Sequence, residues 1–101
     1  MKTVMVRYQV KADRVEENER YVRAVFSELE KEGTSGVRYA TFKLADGVSF
    51  VHLAVIESDS GNPLAALASF REFTAKIGER CEVPPVSGEV EVIGAHRFFG
   101  G

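Results

Sequence analysis

Two strand-like runs separated by only two residues constrain the fold of this chain most strongly. The runs extend from Val37 to Ala45 and from Val48 to Ser58, and Asp46-Gly47 alone lies between them. An Asp-Gly connection between such runs is a strong signal for a β-hairpin, because a type I′ turn needs positive φ at both central residues. We therefore expect an antiparallel hairpin in the middle of the chain.

A strand and a long helix are predicted before this hairpin. Residues from Thr3 to Lys11 alternate between apolar and polar side chains, as a half-buried strand does. Asp13 is an N-cap candidate, and Glu16 follows at the spacing of a capping box. Apolar residues then recur at helical spacing, which predicts an amphipathic helix to about residue 32 that stops at Gly33.

A second helix and a last strand are predicted after the hairpin. Asn62-Pro63 places a cap before a proline and predicts a short helical turn as far as Leu67. Ser69 and Glu72 have the spacing of a capping box, and apolar residues after them predict a helix over about 69–82. Pro84-Pro85 should end that helix, and residues 86–99 should form the final strand.

The predicted element order is β-α-β-β-α-β, which is that of the ferredoxin-like α+β fold. In this arrangement a four-stranded antiparallel sheet carries both helices on one face. A chain of 101 residues is long enough for one domain with a modest core, so we expect a single domain over residues 1–101. Many unrelated functions occur on this topology, and the fold alone does not identify an activity.

Composition narrows the function classes. The net charge of −2 and the pI of about 5.7 give no cationic field for phosphates, so nucleic acid is not an expected partner. Cys81 is the single cysteine and cannot form an internal disulfide. No stretch approaches the ~18 apolar residues of a membrane span, and the N-terminal apolar run is too short for a signal peptide. We expect a cytoplasmic protein that does not bind membranes.

The two faces of the predicted sheet differ in character. If the helices cover the more aliphatic phase of each strand, that face carries Val4, Val6, Val10, Ala40, Phe42, Leu44, Val51, Leu53 and Val55. The uncovered face then carries Met5, Arg7, Gln9, Tyr39, Thr41, Lys43, Phe50, His52, Ala54 and Ile56. Such a face would expose a large apolar patch, and a second copy of the chain would cover it at low cost. We therefore expect a homodimer that encloses a chamber for a small apolar or aromatic ligand.

Three segments resemble one known family over essentially the whole chain. They are MVRYQVKADRVEENERYVRAVF, ADGVSFVHLAVIE and ASFREFTAKI, and the resemblance is to the antibiotic biosynthesis monooxygenase family of dimeric α+β barrels. It implies a homodimer with a ligand cavity, in a family that includes cofactor-free oxygenases of quinol-like aromatics and haem-degrading enzymes. The chain departs from both chemistries, because it has no tryptophan and its second helix has no histidine to ligate haem.

Oxygenation of a phenol without a cofactor needs a base, a donor to the developing oxyanion and a dry pocket. In this interpretation His52 is the base, Arg7 is the anion partner and Tyr39 is an orienting group. The predicted ligand-binding residues are Met5, Gln9, Asn18 and Phe50. Asn18 is the polar residue on the apolar register of the first helix, where it could replace the cavity asparagine of the family. No metal or other cofactor is expected.

Structural roles remain as alternatives for each of these residues. His52 could be an interface histidine bonded across a dimer, and Asn18 could lie at the margin of the apolar stripe and bond to a nearby loop. Cys81 reads as a small buried hydrophobe, and His96 as a structural residue of the last strand. The alternative function is therefore a non-catalytic ligand-binding or structural dimer. An RNA-binding domain on a similar topology is a third interpretation, but the sheet lacks the glycine-aromatic motif for base stacking.

Overall fold

The computed structural model describes residues 1–100, which form a four-stranded antiparallel sheet with helices on one face. The helices and strands in chain order are β1 (Lys2–Val10), α1 (Val15–Glu32), β2 (Val37–Lys43), β3 (Ser49–Ile56), α2 (Ala68–Ala75), α3 (Ile77–Arg80) and β4 (Cys81–Val90). Short 3-10 turns lie at Ala12–Arg14, Pro63–Ala66 and Phe98–Gly100. Among these described residues, no helix is both long and apolar enough to cross a bilayer.

The strand order is β2-β3-β1-β4, and all neighbouring strands are antiparallel. This order confirms the predicted ferredoxin-like α+β fold, because β1 and β3 occupy the centre of the sheet. The central pair is in continuous register, with Val6 opposite His52 and Tyr8 opposite Phe50. Side chains directly opposite each other lie on the same face, so these pairs define the two surfaces of the sheet.

The predicted hairpin between β2 and β3 is confirmed, but the predicted two-residue turn is wrong. The strands end at Lys43 and begin again at Ser49, and of the two turn residues only Gly47 has positive φ, at 79°. The Asp46 carboxylate accepts hydrogen bonds from the backbone N–H groups of Val48 and Ser49. An aspartate side chain commonly accepts a hydrogen bond from the backbone N–H group two residues later in the chain. Here these hydrogen bonds of Asp46 favour a loop longer than two residues.

Helix α1 ends as predicted but begins differently. Gly33 adopts the left-handed conformation at φ 58°, and its N–H bonds to the carbonyl of Glu30. At the other end, Asp13 lies within a 3-10 turn and makes no side-chain cap, so the predicted capping box is wrong. The helix buries Val22 and Val25 against the sheet, as its apolar stripe predicts.

The second half of the chain differs most from prediction. The predicted helix over 69–82 breaks at Lys76, whose φ is −126°, and the last strand begins at Cys81 rather than at residue 86. Pro84 and Pro85 therefore lie within β4. Since β4 is an edge strand paired only with β1, a missing backbone N–H is tolerated there. Residues 91–97 lie outside the sheet, so the prediction of a strand as far as residue 99 is wrong.

Side-chain hydrogen bonds stabilise the start of α2 and the turn before it. The Asn62 side chain accepts from the N–H of Leu64, as predicted for the turn before the helix. Ser69 does not form the predicted capping box. Its N–H and hydroxyl both donate to one carboxylate oxygen of Glu28, at 2.9 and 2.5 Å. These bonds hold the pKa of Glu28 below its ordinary value and join the first turn of α2 to α1.

Candidate functional site

His52 lies on the sheet face that the helices cover, which corrects the prediction that it lies on the open face. It is 4% exposed, and its neighbours Val6 and Thr41 are directly opposite on β1 and β2. The predicted phase is right for β1 but reversed for β2 and β3. The covered face has rings at its centre, where Tyr8, Tyr39 and His52 pack against aromatic residues of α2.

A cavity of about 200 Å³ lies between this face and helix α2. The aromatic and polar residues that line it include Tyr8, Tyr39, His52, Phe70 and Phe73. Aliphatic side chains from β1, β3 and the Pro63–Ala66 turn complete most of the remaining wall. The cavity is therefore mostly apolar, with polar groups on its sheet side and with Asn62 and Thr74 also in its wall, which is the usual character of a small-molecule site.

His52 is held by hydroxyl groups on both ring nitrogens. Its Nε2 lies 2.8 Å from the hydroxyl oxygen of Tyr8, and its Nδ1 lies 2.6 Å from that of Tyr39 and 3.0 Å from Thr41 Oγ1. Burial lowers the pKa of His52 to about 4, so the imidazole is neutral near pH 7. Burial also raises the pKa of Tyr39 to about 12 and that of Tyr8 well above its usual range. Both phenols therefore keep their hydrogens.

Asn18 is fully buried, so the alternative of a residue at the margin of the apolar stripe is wrong. Its Nδ2 donates to the Tyr8 hydroxyl at 2.8 Å, and its Oδ1 accepts from Nε of Arg80 at 3.1 Å. Asn18 therefore reaches the site through Tyr8 and is not among the residues that line the cavity.

Arg80 is a fully buried cation at the end of α3, and sequence analysis did not identify it. Its guanidinium lies over the rings of Tyr21 and Phe73, at 4.4 and 5.5 Å from their centroids. Its NH2 group donates to the Phe73 carbonyl at 2.8 Å, while NH1 has no hydrogen-bond partner in the described chain. A buried arginine is rare, and an exposed basic residue at a helix end is the usual expectation.

The remaining predicted site residues lie elsewhere. Met5, Arg7 and Gln9 face the open side of the sheet, where they line a separate groove of about 580 Å³ with residues of β4. The prediction that they share one cavity with His52 within the chain is therefore wrong, because strand residues alternate between faces. Phe50 is on the covered face and stacks on Tyr8, with ring centroids 5.5 Å apart, but it does not line the cavity.

Residues outside this site carry less chemistry. His96 is exposed beyond the end of β4. Cys81 is buried opposite Val10, as its predicted role as a small hydrophobe requires, and burial raises the pKa of its thiol. Within residues 1–100, no group of three or more His, Cys, Asp or Glu side chains is placed to hold a metal ion.

Known proteins match this chain in fold but not in sequence. No protein-family model matches it, and no curated protein matches it by sequence. A solved antibiotic biosynthesis monooxygenase superposes with a TM-score of 0.75 at 12% identity, covering 93% of this chain and 100% of the other. A protein from Mycobacterium tuberculosis gives a TM-score of 0.72 at 18% identity, covering 93% and 96%.

A third solved structure carries an activity in its name. It is a variant of a cofactor-independent oxygenase from Streptomyces nogalater, with a TM-score of 0.68 at 15% identity, covering 93% of this chain and 94% of the other. The predicted resemblance to antibiotic biosynthesis monooxygenases is thus confirmed at the level of the fold. Identities this low show shared architecture and nothing further about chemistry.

Proposed function

We propose that this chain binds a small aromatic molecule in the cavity beneath α2 and oxygenates it without a cofactor. The observation that carries the proposal is the hydrogen-bonded Tyr39 and His52 pair, which lines a mostly apolar cavity. An engineered cavity of about 150 Å³ holds benzene, so a space of about 200 Å³ suits a molecule of one or two rings. The name of the Streptomyces nogalater neighbour supports the same reaction class.

In this reaction the substrate supplies all the electrons that reduce O₂. Oxygenation by O₂ alone places one oxygen atom in the product and releases the other as water, which requires four electrons. A ring CH₂ group beside a phenol can supply them when it becomes a carbonyl, since two C–H bonds are replaced by C=O. The protein must then stabilise the phenolate that donates electron density, in a site that excludes water.

Tyr39 is the group that would contact the substrate oxygen. The sequence-based hypothesis made His52 the base, but its two ring nitrogens both face side-chain hydroxyls of the chain. His52 lines the cavity with its ring, but its effect on a hydrogen bond to the ligand therefore acts through Tyr39. Arg7 lies on the opposite face of the sheet from His52 and lines the groove there, so Arg7 is not part of this proposal.

The experiment separates binding from turnover. Purified protein in the presence of a chelator is mixed with 1-naphthol, and ligand binding is followed as a rise in unfolding temperature. Oxygen consumption is then measured with 1,5-dihydroxynaphthalene, a two-ring phenol whose keto tautomer has a ring CH₂ group and which would give 5-hydroxy-1,4-naphthoquinone and water. Tyr39→Phe should weaken both signals, whereas Ser87→Ala, an exposed substitution on β4, should change neither.

Three results would contradict the proposal in different ways. Binding without oxygen consumption would support the alternative of a non-catalytic ligand-binding protein, which the fully occupied nitrogens of His52 favour. Loss of binding in Arg7→Gln but not in Tyr39→Phe would move the site to the groove on the open face. No effect of either probe on stability or oxygen would refute an aromatic ligand of this size.

We also propose that a second copy of the chain covers the open face of the sheet. Met5 is 38% exposed and Val86 is 71% exposed on this face, beside half-buried aliphatic residues of β3. A monomer would leave this patch in water, which is unfavourable. Light scattering after size exclusion should give twice the chain mass, and Val86→Lys should reduce it to one chain mass. A stable monomer at micromolar concentration would refute the dimer.

A further inference from the structure

Five side chains form one continuous line of hydrogen bonds from the end of α3 to the cavity. In order they are Arg80, Asn18, Tyr8, His52 and Tyr39. The first four are each at most 4% exposed, so water does not compete for these bonds. The direction of each bond can therefore be worked out from the donors and acceptors that each group has.

The line has a fixed direction at its Arg80 end. A guanidinium has only donors, so the Asn18 atom that faces Nε of Arg80 must be the amide oxygen. The amide nitrogen of Asn18 then faces the Tyr8 hydroxyl, and it can only donate. The side-chain orientation of Asn18, which is commonly ambiguous, is decided here by a neighbour that never loses its charge.

The direction continues through Tyr8 to His52. Because the Tyr8 oxygen accepts from Asn18, its single hydrogen is left for Nε2 of His52, 2.8 Å away. The opposite arrangement, in which Nε2 donates, would leave the Tyr8 hydrogen without an acceptor among the described residues. An unsatisfied buried donor is costly, and Tyr8 is 1% exposed. Nε2 is therefore the acceptor, and a neutral imidazole must carry its hydrogen on Nδ1.

The line ends at Tyr39, which faces the cavity. The Nδ1–H group donates to the Tyr39 oxygen, with Thr41 as a second acceptor. The Tyr39 hydroxyl hydrogen is then not needed by His52. Because Tyr39 lines the cavity, this hydrogen is available to an acceptor atom there.

We infer that Arg80 and Asn18 are positioning residues that hold His52 in its Nδ1–H tautomer, so that the Tyr39 hydroxyl donates to an acceptor oxygen of the bound ligand. The tautomer is a property of the protein alone. The hydrogen bond to the ligand rests on the proposed function and specifies it further. It makes Tyr39 a stabiliser of a carbonyl or phenolate oxygen, and it removes His52 from the role of base.

The tautomer is measured by ¹⁵N NMR of the imidazole. His96→Gln removes the only other histidine, so the spectrum of this background contains His52 alone. We expect a protonated, pyrrole-type Nδ1 and an unprotonated, pyridine-type Nε2 at pH 7. In Asn18→Asp the new carboxylate accepts from both Arg80 and Tyr8, so Nε2 should become protonated and the pattern should reverse.

A change at Thr41 is the control for the NMR measurement. Thr41→Val removes a hydroxyl from the Nδ1 side but leaves Tyr39 as acceptor, so the pattern should stay as in the parent. A protonated Nε2 in the parent would overturn the inference without any variant, and this holds even if Asn18→Asp does not fold. An unchanged pattern in a folded Asn18→Asp protein would show that Asn18 does not set the tautomer.

A ligand experiment tests the Tyr39 end separately. The probes are 1,4-naphthoquinone, which has two acceptor oxygens and no donor, and naphthalene, which has neither. Tyr39→Phe should bind the quinone about tenfold more weakly than the parent, the effect of one hydrogen bond, and should bind naphthalene equally. Equal quinone binding by both proteins would overturn the donor role. Absence of binding by either probe, with the NMR pattern as expected, would refute the proposed function and leave the tautomer assignment standing.

Discussion

Acidification should destabilise this protein through His52. The pKa of His52 is about 4 in the folded chain, against an ordinary value of 6.5, because the buried ring is removed from water. The groups that contact the ring are neutral, and the nearest charge along the hydrogen-bond line is the cation of Arg80. No carboxylate in this line of hydrogen bonds would stabilise the positively charged imidazolium. Protonation of His52 therefore opposes folding.

The sign and size follow from proton linkage. Between pH 6.5 and pH 4 the unfolded chain binds a proton at this residue and the folded chain does not, so the free energy of unfolding falls as the pH falls. Above pH 6.5 the two states bind equally and the stabilising contribution is complete. Each unit of pKa difference is about 1.4 kcal/mol, so the loss reaches about 3 kcal/mol near pH 4.

Urea unfolding at a fixed protein concentration between pH 7.5 and pH 4.5 measures this loss. Carboxylates such as Glu28 also lose favourable interactions at low pH, so the parent must be compared with His52→Gln, which keeps those carboxylates. The parent should lose stability more steeply than His52→Gln, and His96→Gln, a change at the exposed histidine, is the matched control. Parallel lines for the parent and His52→Gln over this range would refute the reasoning.

Three further predictions concern other parts of the chain. Arg80→Lys should lower the free energy of unfolding by about 2–4 kcal/mol in urea, because a lysine cannot reproduce both charge-assisted hydrogen bonds in the same buried space. Gly33→Ala should cost about 1–2 kcal/mol through its left-handed backbone, and Gly36→Ala should cost more, because its added Cβ would also lie 3.2 Å from a facing side chain. The Cys81 thiol should react with a disulfide reagent only as fast as the chain opens, and rapid labelling of the folded protein would contradict its burial.

The order of elements could be predicted from the sequence, because it depends on local patterns. Alternation located β1, β2 and β3, and helical spacing located α1 with its stop at Gly33. The predicted bounds of the second helix and the last strand are wrong because a Pro-Pro pair normally lies outside a strand, whereas Pro84 and Pro85 lie within β4. An edge position tolerates prolines within a strand, but whether a strand lies at the edge depends on the tertiary arrangement.

The face of the sheet could not be predicted from the same patterns. Alternation separates two sets of side chains but does not say which set the helices cover. The more aliphatic set is predicted to lie inside, whereas the covered set contains Tyr8, Phe50 and His52. The polar atoms of Tyr8 and His52 are hydrogen-bonded, and the Phe50 ring stacks on Tyr8. Tyr8 could have been found, since it shares the phase of Val6 and Val10. Arg80 could not, because nothing local distinguishes a buried arginine.

The alternation of β3 also limits how the gene for this chain can vary. Val51, His52 and Leu53 are consecutive, yet the middle one belongs to the cavity and its neighbours belong to the opposite surface. Inserting or deleting one residue within β3 would move every later side chain of the strand to the opposite face of the sheet. Homologous chains that keep both surfaces should therefore differ in length in the loops on either side of β3, at residues 44–48 and 57–62, and not within the strand.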